Sequence, residues 1–223
     1  SNAHDLDLCI KTMIAGFEEV IASLDEKPVA ISFAFPGPAD YANGIIGGYL
    51  PNFPSFRDGV ALGEILRRHF NIPVYINNDG DLFALGEAME GLLPEVNAKI
   101  EAVGSKKRYG NLLGYTFGTG FGIGSVIDGR LNRGNNSCVE TFCLCDTYNP
   151  EIIVEDSVAI RAIVRVYSEV SGDFDHGFTP KEICEIADGT REGNQEAAKE
   201  AFRRFGNAAG DAIATAVTIP DSL

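Results

Sequence analysis

The segment Ile76-Asn77-Asn78-Asp79-Gly80-Asp81-Leu82 ends an apolar run in a cluster of amides and carboxylates, with helix-compatible residues behind it. Where a strand of an open α/β sheet passes into a helix, ligands gather outside the strand's carboxyl end, so Asp79 stands where a catalytic carboxylate belongs. A carboxylate there can accept the proton of an attacking hydroxyl. The plainer reading is that Asn78 or Asp79 N-caps the helix, and spacing alone favours it. A second segment, Gly118-Thr119-Gly120-Phe121-Gly122-Ile123-Gly124, has glycine at every second position after a strand. Glycines let backbone N–H groups close on phosphate oxygens, and Thr119 adds a hydroxyl donor. It is neither a P-loop, lacking Gly-Lys-Ser/Thr, nor a dinucleotide fingerprint, because a hairpin strand rather than a helix follows. A glycine-rich hairpin packed against another backbone would look the same.

The elements that must position these residues follow from periodicity. Leu6, Ile10, Met13, Ile14, Phe17 and Ile21 recur at steps of three and four and predict a helix from Leu6 to Leu24. Val29 to Phe35 reads as a short apolar strand closed by Pro36-Gly37-Pro38, and Gly44 to Pro54 as a Gly- and Pro-rich loop or edge hairpin. Val60–Phe70 predicts a helix, Val74–Ile76 a buried strand, and Leu82–Gly91 a further helix. Charge, Gly and Ser between Lys99 and Gly110 mark a domain boundary. Beyond it, Asn111–Phe117 and Ser125–Leu131, the latter folded around Asp128-Gly129, read as hairpin strands. Helices follow near Val158–Val170, Pro180–Ala187 and Asn194–Val217. Strands alternating with helices indicate an α/β protein of two lobes, a smaller one over 1–108 and a larger one over 109–223.

Composition bounds the possible functions. A chain of 223 residues is about 1.5 domains at roughly 150 residues each. With 45% hydrophobic and 22% charged residues it can bury a core, which excludes disorder and coiled coil. No apolar run approaches the ~20 residues a membrane helix requires. The net charge of -14 repels phosphate backbones and anionic lipid, so neither nucleic acid nor membrane is expected as a partner of this segment. Lys106-Lys107-Arg108 reads as a solvated loop. Five cysteines, an odd number in a chain too large to need staples, read as reduced thiols of a cytoplasmic protein. Cys9 and Cys184 fall on apolar helix faces and read as core thiols. Ser1-Asn2-Ala3 reads as a remnant of tag cleavage, with a native start as the alternative, and is not expected to be part of the fold.

Six short motifs then occur in one order: Phe35-Pro-Gly-Pro38, Pro51-Asn52-Phe53-Pro54, Ile76-Asn-Asn-Asp79, Ala84-Leu-Gly-Glu87, Phe117-Gly-Thr-Gly120 and Asp128-Gly-Arg-Leu131. In order and spacing the chain resembles the ROK family (repressors, open reading frames and sugar kinases), of the two-lobed actin-like ATPase (ribonuclease H-like) fold. The resemblance implies a sugar kinase using ATP and Mg²⁺, acting on a hexose or N-acetylhexosamine as a homodimer, with lobes that close over the sugar. Asp79 matches the catalytic base. Gly37, Asn52 and Asn78 match sugar-contacting positions, and Glu140 matches the glutamate at the sugar's anomeric side. Gly118, Thr119 and Gly120 match the second phosphate-binding loop.

The departures from the family pattern carry information too. Many members hold zinc with a His after the sugar-binding Glu and a Cys-x-Cys-Gly-x-x-Gly-Cys-x-Glu run. Here the His position is Cys143 and the run reads Cys143-Leu-Cys145-Asp-Thr-Tyr-Asn-Pro-Glu151. Two thiolates lack the further ligands of a closed tetrahedral site, so no structural zinc is expected. The family's second sugar-binding glutamate falls on Glu151 or Glu155, with Glu155 preferred. The family's first phosphate loop, Asp-x-Gly-Gly-Thr, does not precede His4, and its adenosine-contacting Gly-Gly-Gly turn does not precede Leu223, so a longer parent protein is expected. A ROK-type regulator that binds sugar without turnover is the alternative, and an inactive scaffold is a third reading.

Overall fold

A computed structural model describes residues 3–37, 39–48, 50, 52–133 and 145–218. The chain forms two compact units, Ser1–Phe83 with Asn132–Val139, and Ala84–Leu131 with Glu140–Leu223.

In the first unit, helix α1 (Leu6–Ala22) begins where Asp5, in extended conformation, accepts the Leu8 N–H on its carboxylate at 3.0 Å. That bond satisfies one of the donors a helix start leaves open. The α1 stripe of Leu6, Ile10, Met13, Ile14 and Phe17 packs on a core of Phe35, Ile46, Phe56, Leu62, Leu66 and Ile76. Strand β1 (Ile31–Ala34) pairs in parallel with β4 (Val74–Asn77), Ile31 opposite Val74 and Ala34 opposite Asn77. Parallel neighbours need a crossover. It is supplied by the small hairpin β2 (Ala39–Asp40) and β3 (Ile45–Ile46), a 3₁₀ turn at Pro54–Phe56, and α2 (Leu62–Phe70). The crossover is packed so tightly that a Cβ on Gly63 would lie 3.1 Å from Gly44 Cα. Helix α2 stops at Asn71, whose left-handed backbone (φ 54°) lets its N–H return to the Arg67 carbonyl at 2.9 Å.

Helix α3 (Asp79–Met89) starts three residues earlier than its apolar periodicity suggests. The reason is local: Asn78 Oδ1 accepts the N–H groups of Gly80 and Asp81 at 2.8 and 3.3 Å, which makes Asn78 the cap. The division between the units falls inside this helix, between Phe83 and Ala84, and not at the composition shift near residue 108. Only the start of that stretch, Lys99 to Ala102, is helical, as the end of α4 (Leu92–Ala102). Leu93 of α4 packs with Ala84, Leu112 and Val126, which draws the helix into the second unit. Pro94 obscures the helix in the sequence, yet it sits in the first turn, where a missing N–H leaves no intrahelical bond unmade.

The second unit is built on an antiparallel sheet of β5 (Leu112–Phe117), β6 (Phe121–Ile127) and β7 (Arg130–Leu131). Asp128 and Gly129, both at positive φ (48° and 72°), make the tight turn from β6 to β7. Strand β6 begins at Phe121, so Gly122 and Gly124 belong to the sheet and only Gly118–Gly120 form the connecting turn. Helices α5 (Glu155–Val158), α6 (Ile160–Ser171), α7 (Pro180–Ala187) and α8 (Gln195–Thr218) complete the unit. Alanines run along α8: Ala197, Ala198 and Ala201 meet α6 and α7, while Ala208, Ala209 and Ala212 meet Phe121, Ile123, Val154 and Val158. Helix α7 opens with a capping box between Thr179 and Glu182 and with Pro180 in its first turn. Among the described residues no helix is long and apolar enough to cross a membrane.

Two expectations are corrected. Cys9 is buried as expected, but Cys184 is exposed, because Ile183 and Ile186 take the inward face of α7. Ala3 is part of the fold: it is buried, and its carbonyl accepts both the backbone N–H and the hydroxyl of Ser55.

Leu66 is fully buried, so Leu66→Ala should remove about 2–5 kcal/mol, read as a lower urea midpoint of the full-length protein. A midpoint equal to wild type would show that the α2 face is not core. Asn78→Ala should cost about 1 kcal/mol through the lost cap and Asn78→Asp much less, a ranking checked by thermal unfolding of the two variants.

Candidate functional site

In the first unit the two parallel strands deliver their carboxyl ends side by side. Phe35 donates its N–H to the Asn77 carbonyl at 2.9 Å, just before both chains turn. After β1 the chain reaches Gly37, where a Cβ would come within 2.7 Å of the Tyr41 hydroxyl and 3.6 Å of Asn78 Nδ2. Tyr41 is held there by donating its own O–H to the Phe35 carbonyl at 2.9 Å. Gly37 and Asn78 are therefore neighbours, and the absence of a side chain at Gly37 keeps the space between them and Tyr41 open.

From the end of β4 into α3, one exposed residue stands among buried ones. Asn77, Asn78 and Asp81 are 9%, 7% and 3% exposed, whereas Asp79 between them is exposed. Among the described residues the Asp79 carboxylate accepts one hydrogen bond, from the Gly80 N–H at 3.1 Å. The cap is thus Asn78, and the carboxylate of Asp79 is left facing outward at the start of α3. Asn77 is engaged from elsewhere in the chain: Arg133 Nη2 donates to its Oδ1, and Arg133 Nε is buried with no hydrogen-bond partner among the described residues. Asn52 is exposed in the turn that leads to the 3₁₀ segment. That turn is tied to the end of β1 by Phe53, whose ring lies 5.1 Å from that of Phe35.

The second unit holds the turn Gly118-Thr119-Gly120 between β5 and β6, closed by the Gly118 N–H on the Gly120 carbonyl at 3.0 Å. Helices α5 and α6 grip it from one side. The Ile160 N–H reaches the Gly118 carbonyl at 2.9 Å, and Arg161 Nη1 reaches the Thr119 carbonyl at 2.9 Å. Glu155 Oε2 accepts the Phe121 N–H at 3.0 Å, and Glu155 Oε1 and Asp156 Oδ1 lie 3.3 and 2.7 Å from Arg161 Nη2. The hydrogen bond to Asp156, with a further one to Glu155, holds the Arg161 pKa above the usual guanidinium value. Gly120 has no room for a side chain, since its Cβ would lie 2.7 Å from Glu155 Oε2. Thr119 is exposed at the tip.

Of the residues singled out in the sequence, Gly37, Asn78 and Asp79 cluster at the strand ends of the first unit, while Gly118, Thr119, Gly120 and Glu155 cluster in the second. Glu151 is exposed and donates its N–H to Asn149 Oδ1. Glu140 and Cys143 lie outside the described residues; Cys145 is exposed. A cavity of about 440 Å³ in the second unit, lined by Asp146, Tyr148, Arg165 and Phe205 among others, contains none of the sequence-predicted site residues. Sequence reading passed over Tyr41, Arg133 and Arg161. No spacing signal marks Arg133 or Arg161, because each acts on a residue that the fold, not the chain order, brings near.

The ROK family profile matches residues 4–222. A glucokinase from Parabacteroides distasonis is 59% identical in sequence and superposes with a TM-score of 0.90, over 99% of this chain and 62% of that one. The DNA-binding transcriptional repressor Mlc of Escherichia coli is 24% identical over 206 residues, 81% of this chain and 47% of the repressor. A ROK family glucokinase from Streptomyces griseus, solved with glucose and AMPPNP, is 20% identical with a TM-score of 0.67, over 95% of this chain and 69% of that one. The chain thus spans less than two thirds of the Parabacteroides enzyme and about half of the repressor. With its parallel strand pair, its three-stranded antiparallel sheet and its helices, the chain is α/β, has the actin-like ATPase (ribonuclease H-like) fold, and belongs to the ROK family.

Proposed function

We propose that this chain is part of a cytoplasmic, ATP-dependent sugar kinase that transfers the γ-phosphate to a hydroxyl of a hexose or N-acetylhexosamine. One observation carries the reading: an exposed carboxylate, Asp79, flanked by buried amides at the paired carboxyl ends of β1 and β4. Identity of 59% with a glucokinase adds support.

In this mechanism Asp79 takes the proton of the attacking hydroxyl as the oxygen closes on phosphorus. Asn78 takes the N–H groups of both Gly80 and Asp81, while the Asp79 carboxylate shares only that of Gly80 and stays exposed. Asn78, Asn52 and the open backbone at Gly37 orient the sugar, and Glu140 and Glu155 bind its hydroxyls. Orientation is a large part of catalysis here, since phosphoryl transfer asks the protein chiefly for placement and charge stabilisation. Gly118, Thr119 and Gly120 hold the phosphates of ATP, for which a turn of small residues with an exposed threonine hydroxyl fits. Magnesium, when bound with the nucleotide, supplies neutralising charge on the phosphate oxygens. The working enzyme is proposed to be a homodimer.

The similarity to Mlc supports a second reading, a sugar-binding regulator without turnover. The two separate on ADP release by the full-length protein with Mg-ATP across hexoses and N-acetylhexosamines. The kinase predicts turnover with at least one sugar. Stabilisation by sugar with no ADP release identifies the regulator.

Asp79→Asn should abolish turnover while sugar affinity stays within about tenfold, because the base is lost and a hydrogen-bonding group is kept. Initial rates and sugar titrations of the variant check this, and turnover at the wild-type rate would remove Asp79 from the mechanism.

A further inference from the structure

We infer that Arg161 is a positioning residue of the phosphate-binding turn, aiming the N–H groups of Thr119 and Gly120 at the nucleotide; this rests on the phosphoryl-transfer reading above. The geometry comes from the two carbonyls of the turn. Gly118 C=O is held by the Ile160 N–H at 2.9 Å and Thr119 C=O by Arg161 Nη1 at 2.9 Å. In a trans peptide the N–H lies opposite the carbonyl that precedes it. With both carbonyls drawn toward α5 and α6, the N–H groups of Thr119 and Gly120 project the other way. Neither donates to another described residue. Two adjacent N–H groups pointing outward from a glycine-flanked turn make a concave anion site.

Arg161 is not itself the phosphate's counter-charge. Its guanidinium already meets two carboxylates, Asp156 at 2.7 Å and Glu155 at 3.3 Å. What it contributes is a fixed fork. One nitrogen takes the Thr119 carbonyl while the other is anchored by the acids, a division of labour that the planar guanidinium allows and an ammonium does not. Glu155 completes the clasp by taking the Phe121 N–H at 3.0 Å, so both flanks of the turn are tied to one ion cluster. The Arg161 side chain is half exposed. Ion pairs of that kind contribute little to global stability, so removing it tests position and not folding.

The test uses the full-length protein and Mg-ADP as probe, measured by calorimetry, with sugar affinity and thermal unfolding alongside. Arg161→Gln should weaken Mg-ADP binding and raise KM for ATP by about tenfold, as loss of a fixed geometry does, a larger loss than that in sugar affinity, which Arg161 touches only through Glu155, and with an unchanged Tm. Arg161→Lys, which keeps the charge without the fork, should be impaired nearly as much. If Arg161→Gln does not fold, Asp156→Asn decides: freeing the guanidinium should weaken Mg-ADP binding in the same selective way. Equal Mg-ADP affinity in wild type and the folded variants overturns the inference alone. A wild-type protein that binds no Mg-ADP overturns the phosphoryl-transfer reading and this inference with it.

Discussion

Ile31 to Ala34 lie hydrogen-bonded alongside Val74 to Asn77, and the Phe35 N–H on the Asn77 carbonyl sets where both strands must turn. Because the strands are parallel, their carboxyl ends arrive on the same side, and whatever follows each of them must share that space. After β1 come Gly37 and the Tyr41 hydroxyl; after β4 come Asn78 and Asp79. An antiparallel pairing would have sent these groups to opposite ends of the strands. The crossover of β2, β3 and α2, with its Gly44–Gly63 contact, makes the parallel register possible, and the phenylalanine cluster of Phe35, Phe53 and Phe56 brings the Asn52 turn to the same end.

Within that frame the two residues of the Asn78-Asp79 pair divide the roles that the sequence left open between them. A helix start needs one side-chain acceptor for its free N–H groups, and Asn78 provides it from a buried position. The Asp79 carboxylate is thereby released from a structural duty and stays exposed. Catalysis is the proposed use of that freedom.

The second unit solves a different problem, how to hold a short glycine turn in one conformation. Glycine loses more freedom on ordering than any other residue, so Gly118-Thr119-Gly120 would not settle unaided. The α8 alanines allow the β5–β6 hairpin and α5 to pack closely, and this brings Glu155, Ile160 and Arg161 within reach of the turn. The fold itself is shared by kinases and repressors, so it does not decide between them.

Much of this was legible in the chain. Periodicity of three and four located α1, α2, α6, α7 and α8, alternation and turn residues located β1, β4, β5 and the Asp128-Gly129 turn, and the motif order pointed to the family. These are local signals, set by which side chains a helix or strand can bury and which backbone angles glycine and proline permit. Leu93, Val96 and Ile100 carried a helical signal for α4 that Pro94 and the charged stretch after it concealed. What tertiary structure alone decided was partnership. Cys184 and Ile183 are adjacent in an amphipathic helix, and only packing shows that isoleucine takes the inward face. Arg133 reaches back to Asn77, and Arg161 grips Thr119 from forty-two positions along the chain. Sequence spacing encodes neighbours one to four residues apart, whereas a hydrogen bond across that distance exists only after the core has closed and fixed both ends.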